Sequence, residues 1–222
     1  MNSLVKVWDL PTRLFHWALV LSISASAISV LVFEHMVWHA RFGYLIASLL
    51  SFRLVWGLVG GYWSRFVNFK PSFSDSLAYL RHPAHWTRAG HNPLGSWSVI
   101  VMLSLIFLQL LTGLGSDDDA GFSGPLTPHI SSAWISLATR YHADVGQWLL
   151  LFWVFLHMAA VAYQTVIKKT PLVKAMLSGY RVMTHANPSS ADSGRHRWLA
   201  VLLFSICSAI TYVCLQLLDP QG

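Results

Sequence analysis

The stretch Tyr141-His142-Ala143-Asp144-Val145-Gly146-Gln147-Trp148, running on to Phe155-Leu156-His157-Met158, decides the fold of this 222-residue chain. Two histidines bracket an apolar run. At 1.5 Å per residue their spacing places them roughly 22 Å apart along a helix and about 60° apart around it. Both imidazoles therefore look out of one broad face, at opposite depths of a bilayer whose apolar core is about 30 Å thick. A helix presenting imidazoles at two depths suits a pair of haems, one above the other. The rest of the chain must then supply a partner for each histidine.

Composition agrees with a membrane setting. Hydrophobic residues make up 55% of the chain and charged residues only 11%, where an average soluble domain is about a quarter charged. Trp and His, 11 of each, are the unusual components. Trp suits interfacial belts, and histidine in this number points to metal or proton chemistry. Cys207 and Cys214 lie in an apolar run without metal-site spacing and read as small packing residues. The first apolar run is long enough to span and lacks a small-residue cleavage site, so it reads as a span and not as a signal peptide.

Five segments read as spans of one domain covering residues 1–222: 14–33, 40–60, 94–114, 145–167 and 198–218. The fold class is thus all-α, an integral membrane helical bundle. Residues 62–92 form a basic loop with a short interfacial helix at 74–81. Residues 115–141 read as a second long loop, carrying Asp117-Asp118-Asp119. No solenoid or inverted-repeat pattern is present. Lys and Arg concentrate in the N-terminus and in the loops after spans two and four, which puts the N-terminus in the cytoplasm and the C-terminus outside. The net charge of +6 then has a topological cause, and nucleic acid is not an expected partner.

Orientation sorts the histidines by depth. His16 lies near the cytoplasmic start of span one, and His39 near the outer start of span two. Span four enters from outside, so His142 is outer and His157 is toward the cytoplasm. Two pairs follow, His16 with His157 and His39 with His142. Six-coordinate haem iron needs two axial ligands, and histidine is a standard one. Ionisable residues inside a membrane mark functional sites by default, although a histidine near a helix end also serves as an interfacial residue. His35, one turn from His39, is its rival. His35, His82, His85, His91, His129, His185 and His196 read as loop or interface residues. Gly43 and Gly146, one turn beyond His39 and His142, let a flat macrocycle approach the backbone, or serve ordinary small-residue helix packing. Arg13 and Arg41 read either as propionate partners or as interfacial anchors, and Arg53 as snorkelling to the cytoplasmic surface.

Val7-Trp8-Asp9-Leu10-Pro11-Thr12-Arg13-Leu14-Phe15-His16-Trp17 resembles the opening of the bacterial cytochrome b561 family, which includes the b-type cytochrome subunits of nickel-iron hydrogenases. His39-Ala40-Arg41-Phe42-Gly43-Tyr44, followed by Arg53 and Trp56-Gly57, is similar to its second helix. Gly90-His91-Asn92-Pro93-Leu94-Gly95 is similar to the start of its third. His142 with Gly146 and His157 resembles its fourth, and Pro171 to Met176 the loop beyond. The resemblance covers about residues 4 to 182. It implies a four-helix core holding two haem b groups, with a fifth, C-terminal transmembrane helix found in some members only. The family's ligand positions fall on His16, His39, His142 and His157. It also implies electron transfer in the bacterial inner membrane, between the quinone pool and a periplasmic redox partner.

No catalytic acid–base group, nucleotide loop or catalytic serine motif is legible. The leading expectation is therefore a respiratory-chain membrane cytochrome that uses a quinone and a periplasmic partner, with the haem iron as its metal. The acidic Asp117 to Asp119 run favours a small c-type cytochrome, by steering a basic protein; a solvated loop is the plainer explanation of that run. Other readings are the anchor subunit of a hydrogenase or similar dehydrogenase, a stand-alone superoxide or quinone oxidoreductase, and a transporter or channel without haem.

Overall fold

The computed structural model describes residues 3–218, apart from the side chain of Ala84. Residues 219–222, at the C-terminus, lie outside the described residues. The chain opens with strand β1 (Ser3–Lys6), followed by helices α1 (Leu10–Leu31), α2 (Met36–Val59), α3 (Phe73–Arg81), α4 (Pro93–Leu114), α5 (Ser132–Arg140), α6 (Gln147–Ala162) and α7 (Leu172–Ser178). Strand β2 (Tyr180–Met183) and helix α8 (Gly194–Leu218) complete it. Among the described residues, five helical segments are long and apolar enough to cross a membrane: α1, α2, α4, the continuous rod Ser132–Ile167, and α8. Their backbone groups are satisfied within the helix, as lipid requires. Most of their large apolar side chains are exposed, which in lipid is the favourable arrangement.

The rod Ser132–Ile167 differs from the sequence expectation, which places a loop up to residue 141. Its first turns, Ser132–Arg140, carry Trp134, Ile135 and Leu137 beside Ser and Thr. That amphipathic pattern is shorter than a span and reads as loop when the hydropathy window is long. The acidic run ahead of it is locally ordered. Asp117 accepts from the Asp119 amide at 2.9 Å and from Ser123 Oγ at 2.7 Å, and Asp118 accepts from the amides of Ala120 and Phe122. These carboxylates hold a tight turn in which Gly121 takes φ +112°, a region that favours glycine.

The chain divides into two compact units. The first comprises Met1–His16, Arg53–Val101 and Leu156–Leu203; the second comprises Trp17–Phe52, Met102–Phe155 and Phe204–Gly222. In the first unit β1 and β2 pair antiparallel, with Ser3 opposite Met183 and Lys6 opposite Tyr180. Val5, Val7, Trp63 and Ala89 form its buried apolar cluster. Ser190 Oγ donates to the Val7 carbonyl and accepts from the Trp63 amide. Residues 3–7 and the segment before α8 are thus one pinned structure.

Two caps fix where membrane helices begin. Asp9 accepts from the Thr12 amide at 2.8 Å, with Pro11 in the first turn of α1. Asn92 accepts from the Gly95 amide at 2.7 Å, with Pro93 as the first residue of α4. Side-chain caps satisfy amides that have no intrahelical partner, and proline suits the first turn because its missing N–H is not needed there. Asp9 does more than cap. Fully buried, it also accepts from the Gly61 amide at 3.0 Å, Ser64 Oγ at 2.6 Å and Trp56 Nε1 at 3.3 Å. One carboxylate therefore ties the start of α1 to the end of α2 and the turn beyond it.

Candidate haem-binding sites

In the second unit, His39 on α2 and His142 lie edge to face. Their ring centroids are 5.9 Å apart, with planes at 84°. His142 lies in a π-helical turn, Tyr141–Gly146, that joins α5 to α6. Such turns displace a helix locally and recur at functional sites. Gln109 supports this one: its Nε2 donates to the His142 carbonyl at 2.9 Å, while His142 Nδ1 donates to the Gln109 carbonyl at 2.9 Å. On the other side, His39 Nδ1 lies 3.1 Å from the Ser26 carbonyl and 3.0 Å from Ser26 Oγ. A carbonyl only accepts, so each neutral ring carries its proton on Nδ1 and leaves the Nε2 lone pair available. This is the arrangement that orients a metal-bound imidazole and raises its basicity.

The glycines of this unit have separate causes. A Cβ on Gly113 would lie 2.7 Å from His142 Cε1, so the glycine makes room for the imidazole itself. Gly146 makes room for the Gln109 side chain and the Tyr141 ring, which is helix packing and not a cofactor cradle. A Cβ on Gly43 would meet no protein atom within 4 Å. No protein neighbour demands a glycine there, and a flat macrocycle against the helix would. His35, the rival to His39, is exposed.

The first unit gathers three imidazoles. His16 on α1 and His157 on α6 are half-buried and within electrostatic reach of each other. His91, expected at the surface, instead lies between Trp8 and Phe69, with both ring centroids 4.7 Å away. Its Nδ1 is buried and has no hydrogen-bond partner among the described residues. Burial, with the Arg53 guanidinium and His157 nearby, pushes the His91 imidazole down to about 3, so it is neutral at physiological pH. Locally, the Asn92 cap fixes the segment, and Gly90 lies against the Trp63 ring, where a Cβ would clash. His196 is likewise not a surface residue, since it packs on Trp56 at 4.9 Å.

Arg53 does not snorkel. Its side chain is 4% exposed and lies 4.6 Å over the Phe66 ring, which reaches α2 because residue 57 is glycine. The Asp9 carboxylate is within electrostatic reach and offsets part of the cost of burying this charge. Arg13 donates to the Leu177 carbonyl at 2.5 Å, and Arg41 stacks over Trp38.

Iron–imidazole bonds near 2 Å place two axial nitrogens about 4 Å apart and their ring centres about 6 Å apart. The His39 and His142 rings meet that spacing, and their Nδ1 hydrogen bonds suit Nε2 ligation, so these residues fit a haem. Apolar membrane helices carrying such facing imidazoles define a class, the membrane b-type cytochromes. A family match to "Prokaryotic cytochrome b561" spans residues 7–179, and the chain belongs to that family. It is accordingly a multi-pass haem b protein of the bacterial inner membrane.

Curated relatives match most of the chain at low identity. A protein named probable Ni/Fe-hydrogenase B-type cytochrome subunit from Rhizobium leguminosarum bv. viciae is 23% identical, over 80% of this chain and 89% of that protein. Proteins of the same name from Cupriavidus necator and Azotobacter chroococcum are each 23% identical, covering 79% and 84% of this chain and 86% and 92% of their own lengths. No solved structure matches the chain significantly.

Proposed function

We propose that the chain binds two haem b groups, one between His39 and His142 and one between His16 and His157, and moves electrons singly between the quinone pool and a periplasmic redox partner. The observation that carries this reading is the His39–His142 geometry: rings 5.9 Å apart, each with Nδ1 held by a backbone carbonyl. Haem b supplies one-electron exchange at iron when bound. These imidazoles would hold the haem iron, and the carbonyls behind them fix ring orientation and strengthen the donor nitrogens. In the first unit, the buried Arg53 guanidinium favours an added electron nearby, and Asp9 moderates that effect. The basic loops support a cytoplasmic N-terminus and a C-terminus in the periplasm.

The names of the relatives support a dehydrogenase of the hydrogenase kind as the partner, ahead of the small c-type cytochrome that the acidic run suggests. The Asp117 and Asp118 carboxylates are already engaged in their own turn, which weakens the argument for steering. Haem stoichiometry tests the core of the reading. A pyridine haemochrome assay on purified protein should return two haem b per chain; one per chain would show that one of the two pairs is wrong. Reporters active only outside the cytoplasm should fail when fused at Asn187 and work when fused after the last residue.

A further inference from the structure

The first unit contains a cleft of about 390 Å³ where the α6 rod ends and α7 begins. Three cationic residues line it, Lys169, Lys174 and Arg181, and no acidic residue does. The hydroxyl-bearing residues Thr170, Ser178 and Tyr180 line it too. The ion pairs of the described residues use Asp192, with Lys6 and Arg197; neither Lys169 nor Lys174 takes part in one. Arg181 is partly engaged, donating to the Ala89 carbonyl at 2.6 Å. Lys169 sits at φ +55°, turning the chain sharply so that lysines on both sides of Pro171 line one cleft. Like charges converging without a counter-ion repel one another, and a bound anion removes that repulsion.

The setting selects among anions. The apolar run of α6 and its last turn ends at Ile167, so the cleft lies at headgroup depth. Leu4, Pro171 and Val182 complete its lining. The neighbouring Val166, Ile167 and Leu177 are all exposed, leaving apolar surface on which acyl chains can lie. A cationic, hydroxyl-lined cleft beside exposed apolar side chains fits an amphipathic anion better than a free one.

We propose that this cleft binds the headgroup of an anionic phospholipid, with the phosphodiester between Lys169 and Lys174 and the acyl chains along the end of α6. The test uses the purified full chain in an uncharged detergent, titrated with dioleoylphosphatidylglycerol or dioleoylphosphatidylcholine and read by native mass spectrometry. One phosphatidylglycerol per chain should be retained at least about tenfold more tightly than phosphatidylcholine. The double variant Lys169→Gln/Lys174→Gln should lose that preference. Lys169→Arg/Lys174→Arg should keep it, which separates charge from local folding. Inorganic phosphate in large excess should not displace the lipid. The proposal is overturned if the glutamine variant keeps the preference, if the arginine variant loses it, if the two lipids bind alike, or if phosphate competes the lipid off and so marks a free-anion site.

Discussion

The two units handle histidine in opposite ways. The second sets two imidazoles side by side, fixes the proton of each on Nδ1 with a carbonyl, and leaves both Nε2 lone pairs available. The first crowds three imidazoles together with a buried arginine, and ties its helix ends through one buried aspartate. The second unit is specified by local pairs, a histidine and the residue behind it. The first is specified by a network, whose members come from four separate stretches of sequence. Pairwise sites tolerate changes elsewhere, whereas in a network the loss of one buried partner leaves several groups unsatisfied.

The largest expected effect tests whether each unit holds one haem. His39→Ala and His142→Ala should each remove the same haem, and His16→Ala and His157→Ala should each remove the other, as followed by redox-titrated difference spectra. His91→Ala should retain both low-spin haems while shifting the midpoint potential of the haem in its own unit. Were His91→Ala to lose a haem that His16→Ala keeps, the partner of His157 would be His91, and the network would be the binding site itself.

That ambiguity marks the limit of what the sequence discloses. The four intrahelical histidines are legible because hydropathy places them at depth and the charge pattern of the loops orders the depths. His91 is not, because its burial depends on Trp8 and Phe69, 83 and 22 residues away in sequence. The same holds for the pairing of β1 with β2, four residues each, whose partners are separated by most of the chain. Short strands carry little periodic signal, and loop hydropathy does not reveal that a segment folds back over a helix end. Gly146 shows the reverse case: its position one turn from His142 allows either a cofactor cradle or ordinary helix packing, and Gln109 and Tyr141 account for it by packing.

A second prediction probes the network through Asp9. Asp9→Ala leaves the amides of Thr12 and Gly61, Trp56 Nε1 and Ser64 Oγ without their buried acceptor. Each such loss costs about 1–3 kcal/mol, and partial relaxation should bring the total to about 4 kcal/mol. Asp9→Asn retains one acceptor oxygen and should cost less. Equilibrium unfolding in mixed micelles measures both; an alanine variant within about 0.5 kcal/mol of wild type would mean that the network is not cooperative.

Glycine substitutions sharpen the contrast within the second unit. Gly113→Ala drives a methyl into His142 and should weaken haem retention there while leaving the other haem in place. Gly43→Ala meets no protein atom. It should stabilise the haem-free helix by up to about 1 kcal/mol through propensity, and impair haem uptake only if the macrocycle lies against it. Comparing haem content with helical melting in both variants separates the two effects. Equal haem loss in both, with equal destabilisation, would point to general helix disruption instead.

The smallest expected effect lies at the edge of the first unit. Asp192 has a side chain only 4% exposed, paired with Lys6 at 2.8 Å and with Arg197 at 2.9 Å. Burial alone would raise its pKa; hydrogen bonds from Arg197, Lys6 and the Leu10 amide overcome that and hold it at about 2, below the ordinary 3.8. A carboxyl depressed in the folded state adds stability that is fully present above pH 3.8 and is lost as pH falls from there toward 2. Because Arg197 is about half exposed, screening trims the contribution to about 1–2 kcal/mol. Asp192→Asn should therefore be destabilised by that amount at neutral pH, and the gap to wild type should narrow steadily below pH 3.8. The stability of the two proteins, followed by tryptophan fluorescence from pH 7 downward, checks this. A gap that stays constant through that window would assign the role of Asp192 to hydrogen bonding of its shape and not to its charge.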